Sequence, residues 1–202
     1  MRQRPSRILG LIGCLAIYSG HARAQDAVTA QSMLAGQWIS AACEAASASA
    51  ERSIRRSFQF SDWSWRVDVA IYQGAACATP LAGISIAGVY ALTGMSSVVP
   101  GAREGTFSYT RKSAAALSEA GAALLTNSKC GASAWRAGLE QDVSDTGCMG
   151  FPPITAECRQ EFDVVGVKDG ELRFGQRTPR MCEAGGRPVQ FSAFPLVRPT
   201  AR

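Results

Sequence analysis

Apolar and polar residues alternate with a period of two along much of the chain, most clearly where Trp63, Trp65, Val67, Val69 and Ile71 alternate with Ser64, Arg66, Asp68 and, at the end of the run, Tyr72. Such alternation predicts an antiparallel strand with one buried face. The preceding segment, Ile54–Phe60, places Phe58 and Phe60 on one face and Arg55, Ser57 and Gln59 on the other, and Ser61-Asp62 supplies polar turn residues between the two. The pair reads as a hairpin. Leu81–Leu92 alternates again, with Ile84, Ile86 and Tyr90 on one side, and its Gly83 and Gly88 suit a strand that must bend. Gly101–Arg111, holding Phe107 and Tyr109, continues the meander.

Ser113–Asn127 breaks the pattern. It is alanine-rich, offers Ser113 as an N-cap and puts Leu117, Leu124 and Leu125 at helical spacing, which predicts one helix near 113–127. Beyond it, Glu161–Lys168 and Glu171–Phe174 flank Asp169-Gly170, a strong hairpin signal, and a last strand is expected over Val189–Val197 with a frayed tail over 198–202. No repeat or linker-like block divides residues 25–197, so one mainly β domain is expected.

The first residues change the accounting of charge. Met1–Arg7 is basic, Ile8–Tyr18 is apolar, and Ala22-Arg23-Ala24 offers the small residues of a signal-peptidase site, so Met1–Ala24 is read as a removed secretory signal. A rival reading uses Leu11-Ile12-Gly13-Cys14 as a loose lipobox, with Cys14 lipidated. Cleavage after Ala24 removes four arginines and takes the formal net charge from +5 to +1, so the basic character gives no case for a nucleic-acid partner. No later stretch is apolar for the roughly 18 residues that a membrane helix needs. Arginine far outnumbers lysine, a weak compositional hint of a bacterial source, and the setting is then periplasmic or secreted.

Cleavage also removes His21, the only histidine. A mature chain without imidazole cannot build Ser-His-Asp or Cys-His catalysis or a His-ligated metal centre. Gly83-Ile84-Ser85-Ile86-Ala87 approaches a nucleophile elbow but ends in alanine and continues as a strand, which makes Ser85 structural. Glu140, Asp142 and Asp145 with Glu44 could be imagined as a general acid pair or a calcium site. The stronger reading has them accepting backbone or arginine hydrogen bonds in tied loops. No catalytic residue, metal or cofactor is therefore assigned.

Six cysteines follow the cleavage point, Cys43, Cys77, Cys130, Cys148, Cys158 and Cys182, an even set that predicts three disulfides in an exported chain. No pair has Cys-x-x-Cys spacing, and arithmetic alone leaves fifteen pairings open.

The cysteines stand among short motifs in a fixed order: Leu34-x-Gly36-x-Trp38-x-Ser40 followed by Cys43-Glu44, then Tyr72, Ala76-Cys77 and Pro80. The order continues with Cys130-Gly131, Trp135, Gly138, Gln141-Asp142-Val143-Ser144 and Thr146-Gly147-Cys148, then Phe174-Gly175-Gln176-Arg177 and Arg187-Pro188 before Pro195-Leu196-Val197. In these motifs the chain, from roughly Leu34 to Val197, resembles the adenomatosis polyposis coli down-regulated (APCDD) family, whose domain occurs in extracellular Wnt antagonists and in bacterial relatives. Cys158 and Cys182 look like additions, and the animal proteins carry two such domains and a membrane anchor. The resemblance implies pairing of Cys43 with Cys77 and of Cys130 with Cys148, leaving Cys158 for Cys182.

It also implies an open or half antiparallel β-barrel, lipocalin-like in shape, whose apolar concavity takes up a lipid, in the animal case the acyl group of Wnt. A barrel of roughly eight strands is the size at which the interior is either just filled or holds one small ligand. The candidate lining comprises Phe58 and Phe60, then Trp65, Val67, Val69 and Ile71, then Ile84 and Ile86, then Phe107 and Tyr109, and finally Leu172 and Phe174. The expected partner is a lipid or an acylated protein. The alternatives are a protein-binding envelope module with a filled barrel and a hydrolase working through carboxylates alone.

Overall fold

The computed structural model describes residues 31–46 and 51–200. The expected signal segment, with Cys14 and His21, lies outside them. The strands are β1 (Gly36–Ser40), β2 (Glu44–Ala45), β3 (Arg52–Phe60), β4 (Ser64–Gln73), β5 (Thr79–Met95), β6 (Arg103–Ala116), β7 (Glu140–Asp142), β8 (Gln160–Lys168), β9 (Glu171–Phe174) and β10 (Leu196–Val197), and helix α1 (Glu119–Asn127) follows β6. All described pairings between these strands are antiparallel.

The sheet closes on itself. Strands run β1-β10-β9-β8-β6-β5-β4-β3 and β3 returns to β1, giving an eight-stranded barrel with β2 and β7 as short additions beside β3 and β6. This corrects the open or half barrel. Two contacts close the seam: Trp38 and Ile39 of β1 pair with Phe58 and Ser57 of β3, while Ile39 and Ser40 pair with Val197 and Leu196 of β10. Closure leaves the eight-strand circuit without an unpaired edge.

The β3–β4 hairpin and the β4 stripe have the register that alternation demands, Phe58 opposite Val67 and Phe60 opposite Trp65. Trp63 does not belong to the stripe: it sits in the turn before β4 and is 60% exposed. Asp169 and Gly170 both have positive φ, 54° and 79°, the backbone of a two-residue type I′ turn between β8 and β9.

The helix starts later than its composition suggests. Ser113–Ala116 instead extend β6, because Ala114 and Ala116 alternate inward while the backbone pairs with both β5 and β7. Ser118, not Ser113, is the N-cap, accepting from the Gly121 amide at 3.1 Å. Leu117 is consequently exposed and Leu125 fully buried. At Gly121 a Cβ would stand 1.6 Å from the Leu81 carbonyl oxygen, so α1 can lie this close to β5 only through a glycine. The last strand is shorter than expected, Leu196–Val197, and Val189 is exposed. Arg198 just after it is held rather than frayed, its guanidinium 3.9 Å from the Trp38 ring centroid and bonded to the Ala35 and Met33 carbonyls.

The three disulfides are Cys43–Cys77, Cys130–Cys148 and Cys158–Cys182, with Cα separations of 5.8, 4.6 and 5.0 Å. Such bridges persist in oxidising compartments, which points to an extracellular or periplasmic setting. Among the described residues no helix is long and apolar enough to cross a membrane.

Candidate ligand site in the barrel interior

Strand alternation brings all twelve candidate lining residues into a single buried cluster. Val67, Val69 and Ile71 of β4 and Ile84 and Ile86 of β5 form an aliphatic wall. The rings gather on one another: Phe58 stacks on Phe174 at 4.7 Å between centroids, Phe60 meets Tyr90 edge-on at 5.2 Å, Trp65 meets Phe107 edge-on at 5.4 Å, and Phe107 lies 5.6 Å from Phe174. Trp38, Tyr90 and Leu196, which were not among the twelve, belong to the same cluster. Their rings and aliphatic groups fill the interior against each other. Two grooves indent the outer wall, one of about 370 Å³ reaching Trp65 beside Gly88 and one of about 190 Å³ reaching Val69 and Ile84.

The interior is not apolar throughout. A β-bulge interrupts β6, where Gly88 pairs with Tyr109 but Ala87 pairs with Arg111, leaving Thr110 as the extra residue. The inward phase therefore shifts from Phe107 and Tyr109 to Lys112, Ala114 and Ala116. Lys112 has no exposed surface at all; its Nζ donates to the Pro152 carbonyl at 2.7 Å and stands 3.7 Å from the Tyr109 ring centroid. On β8, Glu161 and Asp163 face inward opposite Phe107 and Gly105.

These groups alter one another's ionisation. Arg177 holds Glu161 in a two-pronged ion pair, and Glu161 keeps its carboxyl below the ordinary value even though burial pushes the other way. Burial pushes Lys112 down to about 8 against the opposing attraction of Glu161. Burial likewise raises Asp163 to about 7, although its Oδ1 accepts from the Val164 and Gly175 amides at 2.7 and 2.9 Å. Tyr109 is raised as well, by burial and then by the charge of Glu161.

The carboxylates singled out from the sequence lie elsewhere. Glu44 is buried against Ser40 and Arg56, accepting from both at 2.5 and 2.9 Å. Asp142 caps a tight turn at the Ser144 amide and faces Arg111 on the surface. Among the described residues no cluster of three or more potential metal ligands occurs. The buried Lys112, Glu161 and Asp163 escaped the sequence reading, and the bulge that turns Lys112 inward has only a faint trace there, a Thr110-Arg111-Lys112 run that breaks the alternation.

Residues 16–174 match the model of the family described as Adenomatosis polyposis coli down-regulated 1 (APCDDC). No curated protein matches the chain.

Proposed function

The chain belongs to the adenomatosis polyposis coli down-regulated 1 family, and from that premise we propose that it is an exported binding domain whose barrel interior takes up a lipid or the acyl group of a lipidated partner. The observation that carries this reading is the convergence of aliphatic and aromatic side chains from β3, β4, β5, β6 and β9 on one interior. An acyl chain buried there gains on the order of 0.8 kcal/mol per methylene. Binding requires the ring stack around Phe107 and Phe174 to part, so ligand entry and side-chain movement are one event. Each aromatic pair contributes about 0.5–1.5 kcal/mol beyond the area it buries, and the acyl chain replaces that buried area.

Export follows the same reading: the mature chain begins at Gln25, and N-terminal sequencing of protein from its native envelope checks this, a lipid-modified Cys14 being the result that overturns it. The function is tested with delipidated protein and palmitate. Trp65 emission should shift and the melting temperature should rise with ligand concentration, as binding to the folded state alone requires. A Trp65→Phe variant removes the first signal and keeps the second. Val69→Asp, shown by circular dichroism to be folded, should abolish both.

A second reading has support of its own. The filled interior together with exposed Trp63 and Val89, both on the flank of the outer groove near Ser64, suits a domain that docks a protein on its outer wall. Failure of folded wild-type protein to bind fatty acid or phospholipid places this reading first.

A further inference from the structure

Acyl uptake alone gives Lys112 no role, yet no lysine is placed in an apolar interior without cost. The bulge at Thr110 turns it inward, its exposure is zero, and the aromatic stack begins at the Tyr109 ring on which its ammonium rests. Among the described residues no carboxylate lies within ion-pair distance of its Nζ. The nearest acidic charge, Glu161, is already matched by Arg177. Lys112 therefore holds a positive charge without an ion-pair partner at the edge of the apolar cluster, a position that an anion would favour. An ammonium has three donors, and the Pro152 carbonyl occupies one.

The wall is also weakest here. β6 pairs with β8 only as far as Ser108 opposite Gln160, and with β7 only from Ser113 opposite Asp142. Between these two ladders the chain is held by scattered contacts to the segment between β7 and β8: the Tyr109 amide donates to the Arg159 carbonyl, the Lys112 amide to the Ser144 hydroxyl, and the Lys112 carbonyl accepts from the Val143 amide. Pro152 lies on that covering segment, so the Lys112–Pro152 bond is also its fastening.

We propose that Lys112 anchors the carboxylate of a free fatty acid whose chain lies along the aromatic stack of the interior. The proposal rests on the acyl-binding reading and specifies its ligand: an acid in preference to an ester or an acylated protein. A single cation with Glu161 nearby suits a monoanion; a phosphate dianion would meet Glu161 without a second free cation. Tyr109, Glu161, Asp163 and Arg177 are the titratable and charged groups around the ammonium, and their balance leaves Lys112 as the charge available to the ligand.

The test compares palmitate with methyl palmitate on delipidated full-length protein at neutral pH, read by tryptophan emission. Palmitate should bind at least about tenfold more tightly than its neutral ester, as a charge-assisted contact in a dry site gives. Lys112→Met should lose that preference while keeping ester affinity, and Lys112→Arg should retain it. The preference should also fade as pH rises past about 8, where Lys112 releases its proton, and not in Lys112→Met. Equal binding of acid and ester by wild-type protein overturns the anchor and leaves acyl binding standing. A preference that survives in Lys112→Met overturns it too. Binding of neither compound overturns both readings together.

Discussion

β4 and β5 turn Trp65, Val67, Val69, Ile71, Ile84 and Ile86 towards the interior, whereas β6 and β8 turn Lys112, Glu161 and Asp163 towards it. Both regions are equally dry. The first owes its stability to area removed from water and dispersion, neither of which depends on proton concentration. The second holds ionisable groups away from solvent, and its contribution changes with pH. Asp163 is raised from 3.8 to about 7, so across that window the folded chain keeps a proton that the unfolded chain has released, and stability falls as pH rises. Lys112 is lowered from 10.5 to about 8, so across that window the folded chain has released a proton that the unfolded chain keeps, and stability rises with pH. Together the two groups place a trough of stability between about 7 and 8. The proposed anchor and a stability minimum thus share the same side of the barrel.

The contrast is broken most severely at Phe60, 1% exposed within the ring stack. Phe60→Ala should cost about 3–5 kcal/mol in urea denaturation, and by the same amount at acid and alkaline pH; a loss that varies with pH would mean that the two regions are coupled. Asp163→Asn keeps an oxygen for the Val164 and Gly175 amides and removes the charge. It should stabilise the protein by about 2–3 kcal/mol at pH 8 and by almost nothing near pH 4, so thermal unfolding across pH would show the acid-side slope gone. Lys112→Met should add about 1–2 kcal/mol at pH 7, less than its ionisation alone implies because the Pro152 hydrogen bond is lost with the charge. The gain should vanish above pH 10. Arg66→Ala, which removes an exposed pair with Asp68 on the outer wall of the apolar side, should change stability by less than about 0.5 kcal/mol. A larger effect would show the outer wall contributing to what has been assigned to the interior.

Legibility in the sequence follows the same division. Where one face meets the core and the other meets water, alternation reads directly into structure, as in β3, β4 and the Asp169-Gly170 hairpin. β8 has no such contrast: Phe162 and Val164 face outward, and Val164 packs with Val99, Ala102 and Phe191 in a second cluster, so Glu161 and Asp163 look like solvent positions when they are the interior ones. A single extra residue at Thr110 hides Lys112 for a related reason, since every later side chain on β6 changes face. Alanine at 114–116 has good helix propensity, and pairing on both sides of β6 overrides it. Closure of the barrel was hidden because β10 is only two residues long and lies inside a Pro-flanked stretch.

That short strand has a kinetic consequence. Ile39 and Val197 pair across nearly the whole chain, so the barrel cannot close until the last strand has been made, and the loop to be closed carries an entropic barrier of about 4–5 kcal/mol. Folding dominated by so distant a contact is slow. The three disulfides span 34, 18 and 24 residues, all between those two positions, and once formed they roughly halve the path between the ends, lowering the closure cost by about 0.6 kcal/mol. Oxidation before closure would therefore hasten the final step, whereas a chain kept reduced must wait longer with its aromatic interior open to water and to other unfinished chains.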